Sequence, residues 1–230
     1  MQNLLKSKYL PLVAPVLGLV GFGLRKGLYV TAVDTKNLLQ AGHPLEIALW
    51  AVVVLAAVVA VIAGRQQPAT GKSVPAVSFA GSILLAAGIL ATVLGSFGLY
   101  GLALARSILG ILAALSLVAA AVQQLQKKPV FFLLYGVVCI FLAVHMVSCY
   151  QGWSSNPQIQ DYVFTLLACV GLMLFAYQKT ACAVSCGSMG LMRFIGTMTV
   201  FCCFTALSGT ECLLLCLAGG IWVIAGLLGE

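Results

Sequence analysis

Apolar stretches of about 20 residues, separated by short polar joints, recur along almost the whole chain. A helix rises about 1.5 Å per residue, so a stretch of that length matches the roughly 30 Å hydrocarbon core of a bilayer. In lipid the backbone must satisfy its own hydrogen bonds, which leaves helices or a closed barrel. Barrel strands alternate apolar and polar residues over about 10 positions. The segment Ala51 to Ala63, AVVVLAAVVAVIA, does not alternate and is too long for a strand. Charged residues make up only 7% of the chain, too few to solvate a water-facing surface; soluble domains carry about 25%. The expected fold is all-α: a polytopic transmembrane helical bundle of about eight spans, forming a single integral-membrane domain over residues 1–230.

The apolar runs place the spans at roughly 9–30, 44–64, 75–96, 100–123, 129–150, 160–180, 186–207 and 210–229. Pro44 suits the first helical position of the second span. The first span, preceded by Lys6 and Lys8 and containing Pro11 and Pro15, lacks a small-x-small cleavage pattern before Arg25-Lys26 and reads as an uncleaved insertion signal. This threading sorts the 12 basic residues unequally. Lys6, Lys8, Arg65, Lys72, Lys127, Lys128, Lys179 and Arg193 fall on one side; Arg25, Lys26, Lys36 and Arg106 fall on the other. Eight bases against four predict that both termini are cytoplasmic. Asp34, Glu46, Asp161 and Glu211 then lie outside, as do Tyr29, Tyr100, Tyr150, Trp153 and Tyr162, the pattern of an aromatic belt. The net charge of +7 follows from the loop bias. With no basic stripe, no nucleic-acid partner is expected.

Small residues at four-residue spacing let helices approach closely in lipid. Ala87, Ala91 and Gly95 form such a row, as do Gly110 and Ala114, and the last span carries Gly219, Gly220 and Gly226. These rows predict packing within the bundle.

Polar groups at membrane depth are costly and mark candidate sites. Four are singled out as ligand-binding candidates: Glu46, Arg106, His145 and Arg193. Glu46 either caps its helix or shares a site with His43 at the rim. Arg106 either snorkels to the outer interface or is a buried cation paired with Glu46 or an anionic ligand. Arg193 is the mirror case at the inner rim. His145 is either a packing residue or a relay or ligand-binding group. All nine cysteines lie from Cys139 onward. Cys182-x3-Cys186 and Cys212-x3-Cys216 each place two thiols on one expected helix face, with Met189 and Met192 near the first pair. Such soft ligands suit Cu(I), but cysteine is also a small buriable residue, and neither pair carries a CxxC or His-rich motif. No metal, cofactor or catalytic residue is therefore assigned.

The stretches GHPLEIALW at Gly42–Trp50, PQIQDYVFTLLA at Pro157–Ala168 and AYQK at Ala176–Lys179 resemble uncharacterised multi-pass bacterial membrane proteins. That resemblance implies a bacterial inner-membrane setting and carries over no activity and no site residues. No P-loop, GxSxG or HExxH motif points to catalysis. The expected function is that of a small-solute permease or solute-binding membrane subunit. The alternative is a non-catalytic scaffold or accessory protein bound to another membrane protein. The expected partners are the lipid bilayer, a small-molecule solute and, in the alternative, a membrane-protein partner.

Overall fold

The computed structural model describes residues 12–32, 43–65, 75–96, 98, 101–126, 128, 130–153, 162–209 and 212–228. Eight helices account for nearly all of them, with no strand among the described residues: α1 Val13–Thr31, α2 Pro44–Arg65, α3 Pro75–Gly95, α4 Gly101–Leu125, α5 Leu133–Trp153, α6 Val163–Ala183, α7 Met189–Ala206 and α8 Leu213–Leu228. The first seven are long and apolar enough to cross a membrane. Helix α8 has 16 residues, or about 24 Å of rise. The chain is thus a multi-pass helical membrane bundle.

Local chemistry sets several of the ends. Pro44 opens α2, and the Leu45 amide donates to Nδ1 of His43 at 3.3 Å while the carbonyl of His43 accepts from Glu46 at 2.9 Å. His43 is therefore the cap, with Glu46 in the first turn where a carboxylate meets the positive end of the helix dipole. Helix α6 stops in a Schellman turn: the amide of Cys186 donates to the carbonyl of Ala181 at 2.9 Å, and Ser185 takes the left-handed position at φ 61°. Cys186 consequently lies beyond the helix and is exposed, so Cys182 and Cys186 do not share a helix face. The fifth helix begins four residues later than the sequence placed it, at Leu133.

Helices α3, α4, α5, α6, α7 and α8 each pack on the next, and α8 closes the ring on α3. Helices α1 and α2 pack on each other and on the outside of α7. The ring is filled by large side chains, among them Leu85, Phe141, Leu172, Phe175, Phe201 and Trp222. Phe175 and Trp222 meet edge to face with centroids 5.1 Å apart, a favoured aromatic geometry. The outward faces are apolar too, as Val54, Leu94 and Leu115 show, which suits lipid as the surrounding solvent.

Helices α3 and α8 approach closely within the ring. A Cβ at Gly81 would stand 2.6 Å from that of Ala225, and a Cβ at Gly88 would stand 2.7 Å from that of Ala218. Moving seven residues up α3 moves seven residues down α8, so the two helices run antiparallel. The row expected to pack, Ala87–Ala91–Gly95, is not this face: Ala87 and Gly95 are exposed, and nothing lies within 4 Å of a Cβ built at Gly95. The other expected rows do pack. Gly110 meets Val93 and Phe141, and Gly219, Gly220 and Gly226 meet Leu172, Phe204 and Phe175 respectively.

The helices alternate in direction. At one rim Ser78 of α3, Gln124 of α4 and Tyr135 of α5 form a hydrogen-bonded chain, each link 2.8 Å. There Gly64 of α2 also meets Gly190 of α7. The opposite rim, where the odd-numbered helices finish, holds the polar cluster described next. Lys6, Lys8, Asp34, Lys36, Lys72, Tyr100, Lys127, Asp161 and Glu211 lie outside the described residues.

Candidate functional site

Arg106 sits about a turn and a half into α4. Its guanidinium crosses to both neighbours in the ring: Nη1 donates to Oγ of Ser148 on α5 at 3.2 Å, and Nη2 donates to the carbonyl of Ser96 at the end of α3 at 2.5 Å. A cation is favoured there by the negative end of the α3 dipole. Both acceptors are neutral, and Nε is buried with no hydrogen-bond partner. The pairing with Glu46 considered from sequence is not formed. Glu46 belongs to α2, which packs on α1 and α7.

One turn deeper on α5, His145 is 1% exposed and stacks on Phe141 with ring centroids 5.6 Å apart. Its i+4 neighbour Cys149 lies above it on the same face, as the 3.6-residue repeat requires, with Sγ 3.6 Å from Nε2. The third member comes from another helix. Cys212 immediately precedes α8, and its carbonyl accepts the Cys216 amide at 2.9 Å. Its backbone is left-handed at φ 59°, unusual for a residue other than glycine. That conformation delivers its Sγ to within 3.4 Å of Nε2 of His145 and 4.0 Å of Sγ of Cys149. Nδ1 of His145 is buried without a partner.

These groups line a cavity of about 390 Å³ between the end of α3 and the starts of α4 and α8, with Thr92, Ser96, Arg106, His145, Cys149 and Cys212 among its walls. That is within the range of small-ligand pockets, about 300–1,000 Å³. It joins a guanidinium, an imidazole and two thiols in one recess whose other walls include Thr92, Ser96, Leu213 and Leu214. Such a recess offers charge-assisted hydrogen bonds to an anion and soft donors to a metal.

Of the four candidates from sequence, the structure brings Arg106 and His145 to this one recess. Glu46 is at the same rim but on α2, and is not among the lining residues. Arg193 is near the start of α7, at the opposite rim. Cys212 joins the cluster without Cys216, which is buried in the core. Sequence reasoning did not single out Cys149, Ser96 or Ser148. The spacing His145-x3-Cys149 was a readable signal of a shared helix face, whereas the arrival of Cys212 from 63 residues away was not.

All nine cysteines are unbonded. Elsewhere the buried cations rest on aromatic faces: Arg25 lies 5.3 Å from the ring centroid of Phe164, and Lys179 lies 5.7 Å from that of Phe175. No family model matches the chain, and no curated protein or solved structure is similar to it.

Proposed function

We propose that the protein binds a small anionic solute in the rim cavity, as a permease or a solute-binding membrane subunit rather than an enzyme. The observation that carries this reading is the Arg106 guanidinium, which lines the cavity with only neutral hydrogen-bond acceptors among the described residues and one buried N–H unused. A half-buried cation without a carboxylate is costly in a low-dielectric setting, and an anion in the recess would offset that cost. The proposed setting is a bacterial inner membrane with both termini cytoplasmic, supported by the eight-to-four bias of basic residues and by the resemblance of Gly42–Trp50 and Pro157–Ala168. In that orientation the cavity opens toward the periplasm.

The test is thermal unfolding of the purified protein in detergent against small carboxylates, phosphate, sulfate and matched cationic and neutral solutes. A bound anion at a hundredfold excess over its Kd raises stability by about 2.7 kcal/mol. Arg106→Gln, which keeps donors for Ser96 and Ser148, should lose at least tenfold in that affinity. A flat anion series, or equal stabilisation of Arg106→Gln, overturns the reading. The accessory-protein alternative then predicts a stoichiometric membrane-protein partner after mild solubilisation.

A further inference from the structure

We propose that His145, Cys149 and Cys212 form a binding site for a thiophilic d10 metal ion, Zn(II) or Cu(I), at the floor of the rim cavity. The inference deepens the ligand-binding reading and rests on it for the access route alone.

Geometry carries it furthest. Metal–thiolate bonds of about 2.3 Å and metal–imidazole bonds of about 2.05 Å fix the spacing of the donors around one ion. At trigonal angles the sulfurs stand about 4.0 Å apart and nitrogen lies about 3.8 Å from each sulfur; at tetrahedral angles these become about 3.8 and 3.6 Å. The donors here are 4.0 Å apart for Sγ–Sγ, and 3.6 and 3.4 Å for Nε2–Sγ. Among the described residues this is the one group of three such donors that meets on a common point. A Cys149–Cys212 disulfide, by contrast, requires about 2.05 Å, half the observed separation.

Donor chemistry agrees. Two thiolates and an imidazole select soft or borderline cations over Mg(II) or Ca(II). Two thiolates neutralise Zn(II). With Cu(I) they leave one negative charge, which Arg106 on the same cavity wall would balance. Binding releases one proton from each thiol to solvent and transfers no electrons. Three protein ligands also leave a fourth position facing the cavity, the arrangement of open rather than structural sites. Ligation at Nε2 places the ring proton on Nδ1, which has no protein acceptor, so the thiolates are expected to carry most of the affinity.

The backbone gives independent support. Cys212 holds a left-handed conformation that side-chain-bearing residues adopt only at a steric cost, and such strain gathers at functional sites. The strain places one atom, the Cys212 sulfur, against His145.

The full-length protein, purified reduced and metal-free under anaerobic conditions, is titrated with Zn(II) and with Cu(I), each against a chromophoric chelator. One equivalent should bind, and Co(II) as a spectroscopic stand-in should give an intense near-ultraviolet thiolate charge-transfer band. Cys149→Ser/Cys212→Ser should weaken binding at least a hundredfold and abolish the band, whereas Cys186→Ser should change neither. Cys212→Ser alone, at a position outside the helix body, decides the matter if the double variant folds poorly. The relative competition by the two chelators assigns the ion.

Substoichiometric uptake by the wild type, equal uptake by the serine variants, or isolation of the protein with Cys149 and Cys212 joined as a disulfide overturns the proposal. Wild-type protein that takes up no metal yet is stabilised by anions overturns this inference alone. Metal uptake without an anion response overturns the solute reading alone.

Discussion

Cys212 joins local backbone cost to site geometry at a single residue. With φ at 59° it occupies a region where a Cβ crowds the following carbonyl, and glycine escapes that crowding. Cys212→Gly should therefore unfold at higher denaturant than Cys212→Ala by roughly 1 kcal/mol, although both remove the thiol. Equal midpoints would mean that the backbone relaxes once the sulfur is gone. Other polar residues in the spans follow a simpler rule. The hydroxyls of Ser82, Thr92, Ser107, Thr197 and Thr199 each donate to the carbonyl four residues earlier, at 2.7–3.0 Å. In lipid this satisfies the hydroxyl within its own helix, so most intramembrane Ser and Thr here are explained without a ligand. Arg106 and His145 differ, because each keeps a buried nitrogen unpaired.

Between elements, the α3–α8 seam is a place where substitution has a definite expected cost. Gly81→Val puts a branched side chain where even a Cβ stands 2.6 Å from Ala225 and 3.2 Å from the backbone of Trp222. Overpacking of this kind costs about 1–3 kcal/mol, to be read from the unfolding midpoint in detergent. Gly23→Ala in α1 is the control: nothing lies within 4 Å of its Cβ, and it should gain up to about 1 kcal/mol of helix propensity. A Gly81→Val protein as stable as wild type would mean that the seam can part. The same seam marks what was legible in the sequence and what was not. Span length is imposed by bilayer thickness, so all eight helices could be counted and bounded within a few residues, seven of them long and apolar enough to cross a membrane. Helix facing could not, because lipid and core both accept apolar side chains. Ala87–Ala91–Gly95 and Gly81–Gly88 look alike as small-residue patterns, yet Gly81 and Gly88 face α8 while Ala87 and Gly95 are exposed. The site divided in the same way. His145 and Arg106 stood out as polar groups in apolar helices, whereas Cys149 was not singled out although His145-x3-Cys149 is a helical spacing. The place of Cys212 depended on which helices adjoin in the ring, and that is long-range information.

For the whole molecule, the alternating helix directions place four of the seven described basic residues at one rim and the cavity at the other. Arg65, Lys128, Lys179 and Arg193 gather where the even-numbered helices finish, with Cys186 exposed in the α6–α7 turn beside them. Val30, 80% exposed at the end of α1, stands at the cavity rim. If the basic rim faces the cytoplasm, as the bias of positive loops implies, a membrane-impermeant maleimide should leave Cys186 unlabelled in intact cells. It should label Cys186 once the membrane is permeabilised, with Cys186→Ser removing that increment. Val30→Cys, introduced into Cys186→Ser, should label without permeabilisation. Orientation also decides what the cavity meets. A site with two thiols and an imidazole facing the periplasm would draw metal and anions from outside the cell, in an oxidising compartment where an unprotected dithiol closes to a disulfide. Metal ligation would then keep Cys149 and Cys212 apart. The opposite labelling pattern would reverse the bundle and place the cavity in the reducing cytoplasm, where the thiols need no such protection and the cavity would draw on cytosolic metal and solutes.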